Sequence, residues 1–288
     1  MDPLLRPGRP EDREAIEAFT RDTFSWGDYV AGVYPDWLTD PAGQTLVAEI
    51  GGEVVAVARA AILSAGEAWL QGSRVHPGHR RRGVGTALAE NLIDWAASRG
   101  ARVVRLITGT DNTASLRQVS LIGFRPECDW LAAERETGSR SPVVRPNGGP
   151  RLTAADRLRP APPADAEPAM LAWAAGPLER AGRGLFPVAW CWRRLWLADL
   201  QDAARRGALW QADPGWAIAQ PDEDTLWVPW LAITAETAKV MMRALVDRAG
   251  AAGAARLEVM VPALDWLDAA LDHAGFRIHK MRIMSKVL

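Results

Sequence analysis

Two stretches of the chain, 153 residues apart, begin in the same way. Leu5-Arg6-Pro7-Gly8-Arg9-Pro10-Glu11-Asp12 returns as Leu158-Arg159-Pro160-Ala161-Pro162-Pro163-Ala164-Asp165, and Gly100-Ala101 returns as Gly253-Ala254 at the same offset. Gly123-Phe124-Arg125 returns as Gly275-Phe276-Arg277 at an offset of 152. One such match would carry little weight, but three in a common register point to a duplication. The chain is therefore read as two domains of one fold, residues 1–135 and 158–288. The segment between them, 136–157, is rich in Pro, Gly, Arg and Ser, which is the composition of a linker.

Local patterning gives each copy a mixed α/β content. In the first, acids at Glu11 and Asp12 precede the apolar face Ala15, Ile16, Ala18 and Phe19, predicting a helix. The aromatic stretch 21–43 reads as irregular. Thr45–Ile50 and Glu53–Leu63 flank Gly51-Gly52 as a hairpin, and Glu67–Val75 is a third strand that ends before Pro77. A helix over Thr86–Ser98, a strand over Arg102–Thr108, a helix over Ala114–Ile122 and a strand opening at Phe124 follow. The second copy repeats this with strands at Leu226–Ile233 and Leu257–Val261 and helices at Ala238–Ala249 and Leu264–Ala274.

Bulk composition removes several classes of function. The formal net charge is −1, against the basic excess of a typical nucleic-acid binder. Two cysteines, no CxxC and four scattered histidines give no disulfide framework and no metal site. No signal-like start and no uncharged apolar run long enough for a bilayer are present, so a cytoplasmic protein without membrane attachment is expected, as monomer or homodimer. Fourteen tryptophans, many in the second half and clustered at Trp190–Trp196, serve either packing or an aromatic groove.

The chemistry concentrates in His79-Arg80-Arg81-Arg82-Gly83-Val84-Gly85-Thr86, between a strand and a helix. Glycines let backbone N–H groups turn into one concavity, and the helix start adds unpaired N–H groups and a positive dipole end. This is a site for a diphosphate, with arginines to balance its charge. A P-loop needs a Gly-Lys-Ser/Thr that is absent here, and a dinucleotide fingerprint needs glycine where Leu88 stands.

Val75-His76-Pro77-x-x-Arg80-x-x-Gly83-x-Gly85-x-Ala87-Leu88, followed by Asn112-x-x-Ser115-Leu116 and Gly123-Phe124, resembles the GCN5-related N-acetyltransferase (GNAT) family. The resemblance spans residues 4–135, and the second half resembles the same fold without its signature. It implies two tandem domains, each a mixed, mostly antiparallel sheet flanked by helices, with one pair of strands splayed apart. It implies acetyl-coenzyme A as co-substrate, with Arg80, Arg81, Arg82, Gly83, Val84, Gly85 and Thr86 around the diphosphate. The pantetheine arm would pair with strand backbone at Arg74, Val75 and His76, and Asn112 and Ser115 would contact its end. Gly72 is the expected bulge that opens the splay, and a backbone N–H at Val75 is the expected oxyanion donor.

For proton handling, Glu67 is a candidate base, and Gln71 occupies a strand position where it could order a water. The tyrosine that the family uses as acid is replaced by Val119. Trp26, Tyr29 and Tyr34, with Asp22, Asp28 and Asp36 nearby, are expected to meet a small cationic amine. The expected activity is N-acetylation of a small amine by direct attack in a ternary complex. The alternatives are acetylation of a protein N-terminus or lysine, and a non-catalytic acyl-CoA sensor. In the second copy, Leu231–Ala238 has no glycine loop, and Glu236 would repel a phosphate, so no coenzyme is expected there.

Overall fold

A computed structural model describes residues 3–23, 27–138, 158–213 and 215–288. Trp26, and the expected linker from residue 139 to 157, lie outside the described residues. The chain divides into two compact units. The first comprises residues 1–108, 112–126 and 283–288, and the second residues 109–111 and 127–282.

The first unit opens with β1 (Leu4–Pro7), a short 3-10 turn and α1 (Arg13–Thr20). Asp12 organises this start: it accepts from Arg6 Nη2 at 2.7 Å and caps the turn through Arg9 N at 2.8 Å. The stretch expected to be irregular contains a helix, α2 (Val30–Thr39), despite Pro35 in its interior. Proline has no N–H to give the carbonyl of Ala31. Arg13 Nε on α1 donates to that carbonyl instead, at 3.1 Å. A side chain from the neighbouring helix thus satisfies the group that would otherwise break α2.

The strands β2 (Gly43–Ile50), β3 (Glu53–Ser64) and β4 (Glu67–Val75) form an antiparallel meander. They are followed by α3 (Val84–Ser98), β5 (Val103–Gly109), α4 (Thr113–Leu121) and β6 (Arg125–Glu136). α1 and α2 cover one face through Ile16, Val30, Tyr34 and Trp37. The other face packs Leu88, Leu92, Val119 and Phe124 against Ala58, Leu70 and Val104.

The second unit continues with β7 (Arg159–Pro160), α5 (Ala166–Ala175), α6 (Pro177–Gly182), a separate hairpin β8 (Leu185–Val188) and β9 (Cys191–Arg194), and α7 (Leu197–Arg205). Then come β10 (Leu209–Ala212), β11 (Gly215–Asp222), β12 (Thr225–Ala232), α8 (Ala238–Ala251), β13 (Arg256–Pro262), α9 (Asp265–His273) and β14 (Arg277–Val287). β7 pairs with β10 as β1 pairs with β2, and β12 pairs with β13 in parallel as β4 does with β5. Each unit is thus a mixed sheet with helices on its faces, and the repeated sequence anchors occupy equivalent places.

The halves of the sequence and the units differ in one respect. Residues 127–136 of β6 lie in the second unit, antiparallel to β13 from Glu136↔Arg256 to Trp130↔Pro262. The end of β14, residues 283–288, belongs to the first unit, where its strand is next to β5. There Leu288 N donates to Arg102 O at 2.9 Å, and Met284 is buried in the α3/α4 core. The boundary at residue 135 therefore cuts a strand of the second unit, and the first unit is completed by the end of the chain.

The tryptophans of the second half serve packing for the most part. Trp192 is fully buried with its ring edge-on to Trp130 at 5.5 Å. Trp190, at the tip of the β8–β9 hairpin, stacks on Trp227 at 6.1 Å and stays half exposed. Among the described residues, no helix is long and apolar enough to cross a membrane.

Candidate functional site

The strand β4 is paired on both sides only near its start. Its parallel pairing with β5 covers Glu67↔Val103 to Trp69↔Arg105 and goes no further, although both strands continue. On the other side, pairing with β3 slips by one residue between Arg59↔Gln71 and Val57↔Arg74. The slip is a bulge at Gly72, whose φ of +65° is open to glycine at little cost. β4 therefore leaves β5 after Trp69, and the edge it turns away presents backbone groups with no strand partner.

Register shows which groups these are. His76 N donates to Val55 O at 2.8 Å, which makes Val55–His76 a hydrogen-bonded pair and, two residues back, Val57–Arg74 another. The pair between them, Ala56↔Val75, has its N–H and C=O directed outward. The open edge thus carries the backbone of Val75 and, by the same alternation, of Ser73. The His76 N–H is spent on Val55 and its carbonyl accepts from His79 N at 2.9 Å, while the backbone of Arg74 faces β3, which corrects the expected contacts at those two residues. Ser73 was not singled out by sequence, because the parity of the edge depends on a register set with β3.

At the end of this edge the chain turns through Pro77–His79 into the glycine loop. Arg81 and Gly83 have φ of +60° and +80°, and Gly83 stands immediately before α3 with no side-chain cap on the helix. Ala87 N is the first to find a helical acceptor, Gly83 O, at 2.9 Å. The N–H groups of Val84, Gly85 and Thr86 belong to the unpaired first turn. Gly85 is close-packed: a Cβ there would stand 2.9 Å from Gln118 Nε2 and 3.3 Å from Val75 Cγ2. Arg80 Nε donates to Val75 O at 3.1 Å, tying the loop to the open edge. Arg80, Arg81 and Arg82 are exposed, and among the described residues none of them forms an ion pair with an acid. The combination is an uncompensated positive loop continuous with an edge that has no strand partner, whose Ser73 and Val75 carbonyls accept from Arg74 and Arg80 side chains.

Asn112 Oδ1 accepts from Ser115 N at 3.1 Å and caps α4. The Asn112-x-x-Ser115 spacing thus has a local reason of its own, and the amide nitrogen of Asn112 is the group left to face a ligand. Val119, at the position of the expected acid, is buried in the core.

Three of the expected polar residues, Glu67, Tyr34 and Asp28, have other tasks. Glu67 is buried, its Oε1 accepts from Arg105 Nη1 at 2.6 Å, and Ser64 Oγ donates to its other oxygen at 2.5 Å. It lies on the closed, paired end of β4, about 13 Å of strand before Gln71. An ion-paired carboxylate at that distance is not suited to act as a base for chemistry at the splay. Tyr34 is fully buried and donates to Arg9 O at 3.1 Å; burial, joined by the Asp12 charge, pushes its hydroxyl well above the usual range. It is a core residue and meets no acceptor. Tyr29 is exposed at 42%, beside Arg74, whose guanidinium lies 5.5 Å from the ring centroid. Asp28, expected to draw a cation, instead binds Arg74 Nε at 2.6 Å and caps α2 through Val30 N at 3.0 Å. Its charge is neutralised within the unit.

The second unit keeps the splay and lacks the loop. β12 and β13 pair in parallel only from Thr225↔Arg256 to Val228↔Val259. Between β12 and α8, Thr234 N donates to Thr237 Oγ1 at 3.1 Å, and that hydroxyl donates back to Thr234 O at 3.2 Å. A side chain thus closes the turn where the first unit leaves N–H groups open. A hydrogen bond from Thr234 holds the Glu236 carboxyl below the usual range, so the turn carries a negative charge.

Residues 13–124 match the Acetyltransferase (GNAT) family. The acetyl transferase GW6a of Oryza sativa subsp. japonica is 36% identical over 118 residues, covering 36% of this chain and 27% of that protein. Over the whole length, the GCN5-related N-acetyltransferase of Sphaerobacter thermophilus has a TM-score of 0.68 at 19% identity, with 99% of this chain and 95% of that one covered. A tandem GNAT protein from the clavulanic acid biosynthesis pathway has a TM-score of 0.59 at 15% identity, covering 99% and 98%. At these identities the two structures speak for the fold alone. The first unit is thus similar to the GNAT acetyltransferases over residues 13–124, the chain spans about a quarter of the length of the curated relative it matches, and its full length shares the fold of GNAT proteins, a tandem one among them.

Proposed function

We propose that the chain is an acetyl-coenzyme A-dependent N-acetyltransferase acting on a primary amine of a small molecule, with the first unit as its only coenzyme site. The observation that carries this reading is the continuity between the open edge at Ser73 and Val75 and the uncompensated loop from Arg80 to Thr86. A diphosphate fits the N–H groups of residues 83–86, with Arg81 and Arg82 outside it. An amide-bearing arm fits the edge as an added strand, using Val75 and Ser73. Of the two outward N–H groups, the one that the arm leaves free is suited to stabilise the thioester oxyanion as the amine attacks. The amide of Asn112 fits the far end of the arm.

Gln71 precedes the bulge and can hold a water that takes the amine proton. No side-chain acid is needed for the departing thiol, whose pKa is about 8.5. The same burial of Val119 also favours a second reading, an acyl-CoA-binding sensor without turnover. Thiol release from acetyl-CoA across a panel of small amines and peptides separates the readings. Release with a small amine supports the proposal, and release only with peptides moves the acceptor to proteins. Tight binding with no release on any acceptor supports the sensor. In the second unit, the closed Thr234–Thr237 turn and the charge of Glu236 argue against a second coenzyme site.

A further inference from the structure

We propose that Trp37, fixed by the buried cation of Arg59, positions the bulge at Gly72 and through it the outward N–H groups of Ser73 and Val75. The inference rests on the acetyl-transfer reading above and gives a task to two residues outside the loop.

The bulge decides the parity of the edge. One extra residue on β4, between Arg59↔Gln71 and Val57↔Arg74, sets whether odd or even positions after it face the splay. Without it, the outward groups would be those of Arg74 and His76, displaced along the edge by a residue. Glycine permits the bulge but does not select it. The Trp37 ring occupies the space beside Gly72, so that a Cβ there would stand 2.8 Å from Cζ3 and closer still to Cη2. Trp37 is itself buried and is braced edge-on by Tyr29 at 6.3 Å between centroids.

Arg59 holds this ring from below. Its Nη1 donates to Trp37 O at 2.7 Å, its Nη2 pairs with Asp40, and its guanidinium lies 5.7 Å from the Trp37 centroid. Both anchors lie at the C-terminal end of α2, where a cation also complements the helix dipole. Arg59 is 3% exposed, and the position of Gly43, where a Cβ would overlap the guanidinium, leaves room for it. An apolar side chain would fill the same volume without the desolvation of a charge. What the arginine adds is a fixed geometry between α2 and the strand opposite Gln71. Arg59 and Trp37 act through the backbone and are positioning residues.

The test compares Trp37→Leu, Trp37→Phe, Arg59→Met and Arg59→Lys with the full-length protein at a temperature where each is folded. Rates are taken per bound acetyl-CoA. The expected result is a ten- to hundredfold fall in kcat for Trp37→Leu and Arg59→Met, the scale of a displaced oxyanion donor. The Kd for acetyl-CoA rises by much less than kcat falls, because the diphosphate loop is untouched and only the arm's contacts at the edge shift, and Trp37→Phe and Arg59→Lys restore most of the rate. Gly72→Ala should cost less in the Trp37→Leu background than alone, since the ring it would strike is gone. Unchanged kcat in the folded variants, or a Kd that rises in step with the loss of rate, overturns the inference. Where the wild-type protein binds acetyl-CoA without turnover, the acetyl-CoA-induced shifts of the Ser73 and Val75 amide resonances decide it. Shifts diminished in Trp37→Leu uphold the positioning role, and equal shifts refute it. A wild-type protein that binds no acetyl-CoA refutes the site itself.

Discussion

Met284→Ala is a change four residues before Leu288, yet its effect should fall on the first unit. Met284 is 1% exposed and packs in the core formed by α3, α4 and the β2–β5 strands. Removing a buried side chain of this size costs about 2–5 kcal/mol, depending on how far the site collapses. With about 1.4 kcal/mol for each factor of ten, opening of the surrounding structure should become roughly 30- to 4,000-fold more frequent. Hydrogen exchange followed by mass spectrometry reads this locally. Peptides from β5 and α4 should lose protection by that factor, while those from β12 and α8 change much less. Leu271→Ala, at a fully buried position of the second unit's core, should give the opposite pattern. Accelerated exchange in β12 and α8 alone after Met284→Ala would refute the account of the exchanged strand ends.

Other expectations follow from the polar clusters. Glu67→Gln leaves Arg105 buried without its carboxylate, so stability should fall by about 3–5 kcal/mol; under the proposed activity, the pH–rate profile of the folded variant should keep its limbs. A lost acidic limb, the rise of rate with pH as a base deprotonates, would return Glu67 to the reaction. Burial opposes the charged form of Asp12, but hydrogen bonds from Arg6 and Arg9 outweigh it and hold the carboxyl below the ordinary aspartate range. The folded-state pKa is the lower one, so this stabilisation is present above the unfolded value of about 3.9 and is lost as pH falls through the folded one. Urea midpoints at pH 6 and pH 3 should therefore differ less for Asp12→Asn than for the parent, and equal differences would dismiss the contribution.

The parts of the site that the sequence discloses are those with local causes. Gly83 before an apolar helix and Gly72 within a strand announce positive φ, and both have it. Asn112 followed by Ser115 at three residues is a cap and can be read as one. What stays hidden depends on distant partners. α2 is masked by Pro35, and its rescue comes from Arg13 on another helix. Glu67 looks like an exposed strand end until Arg105 is placed beside it. Ser73 replaces Arg74 and His76 on the open edge only because β3 sets the register. The exchange of β6 and β14 leaves no local trace, since a strand's own pattern is the same whichever sheet it joins.

The central claim is that one unit carries the coenzyme and that the loop at Gly83 holds it. Gly83 is suited to the test: no atom lies within 4 Å of a Cβ built there, so a side chain has room, though φ of +80° adds some strain. Isothermal titration of acetyl-CoA into the full-length protein should give one site per chain, and Gly83→Glu should abolish it while the circular dichroism spectrum is retained. Two equivalent sites per chain, or an unchanged affinity in Gly83→Glu, would contradict the account.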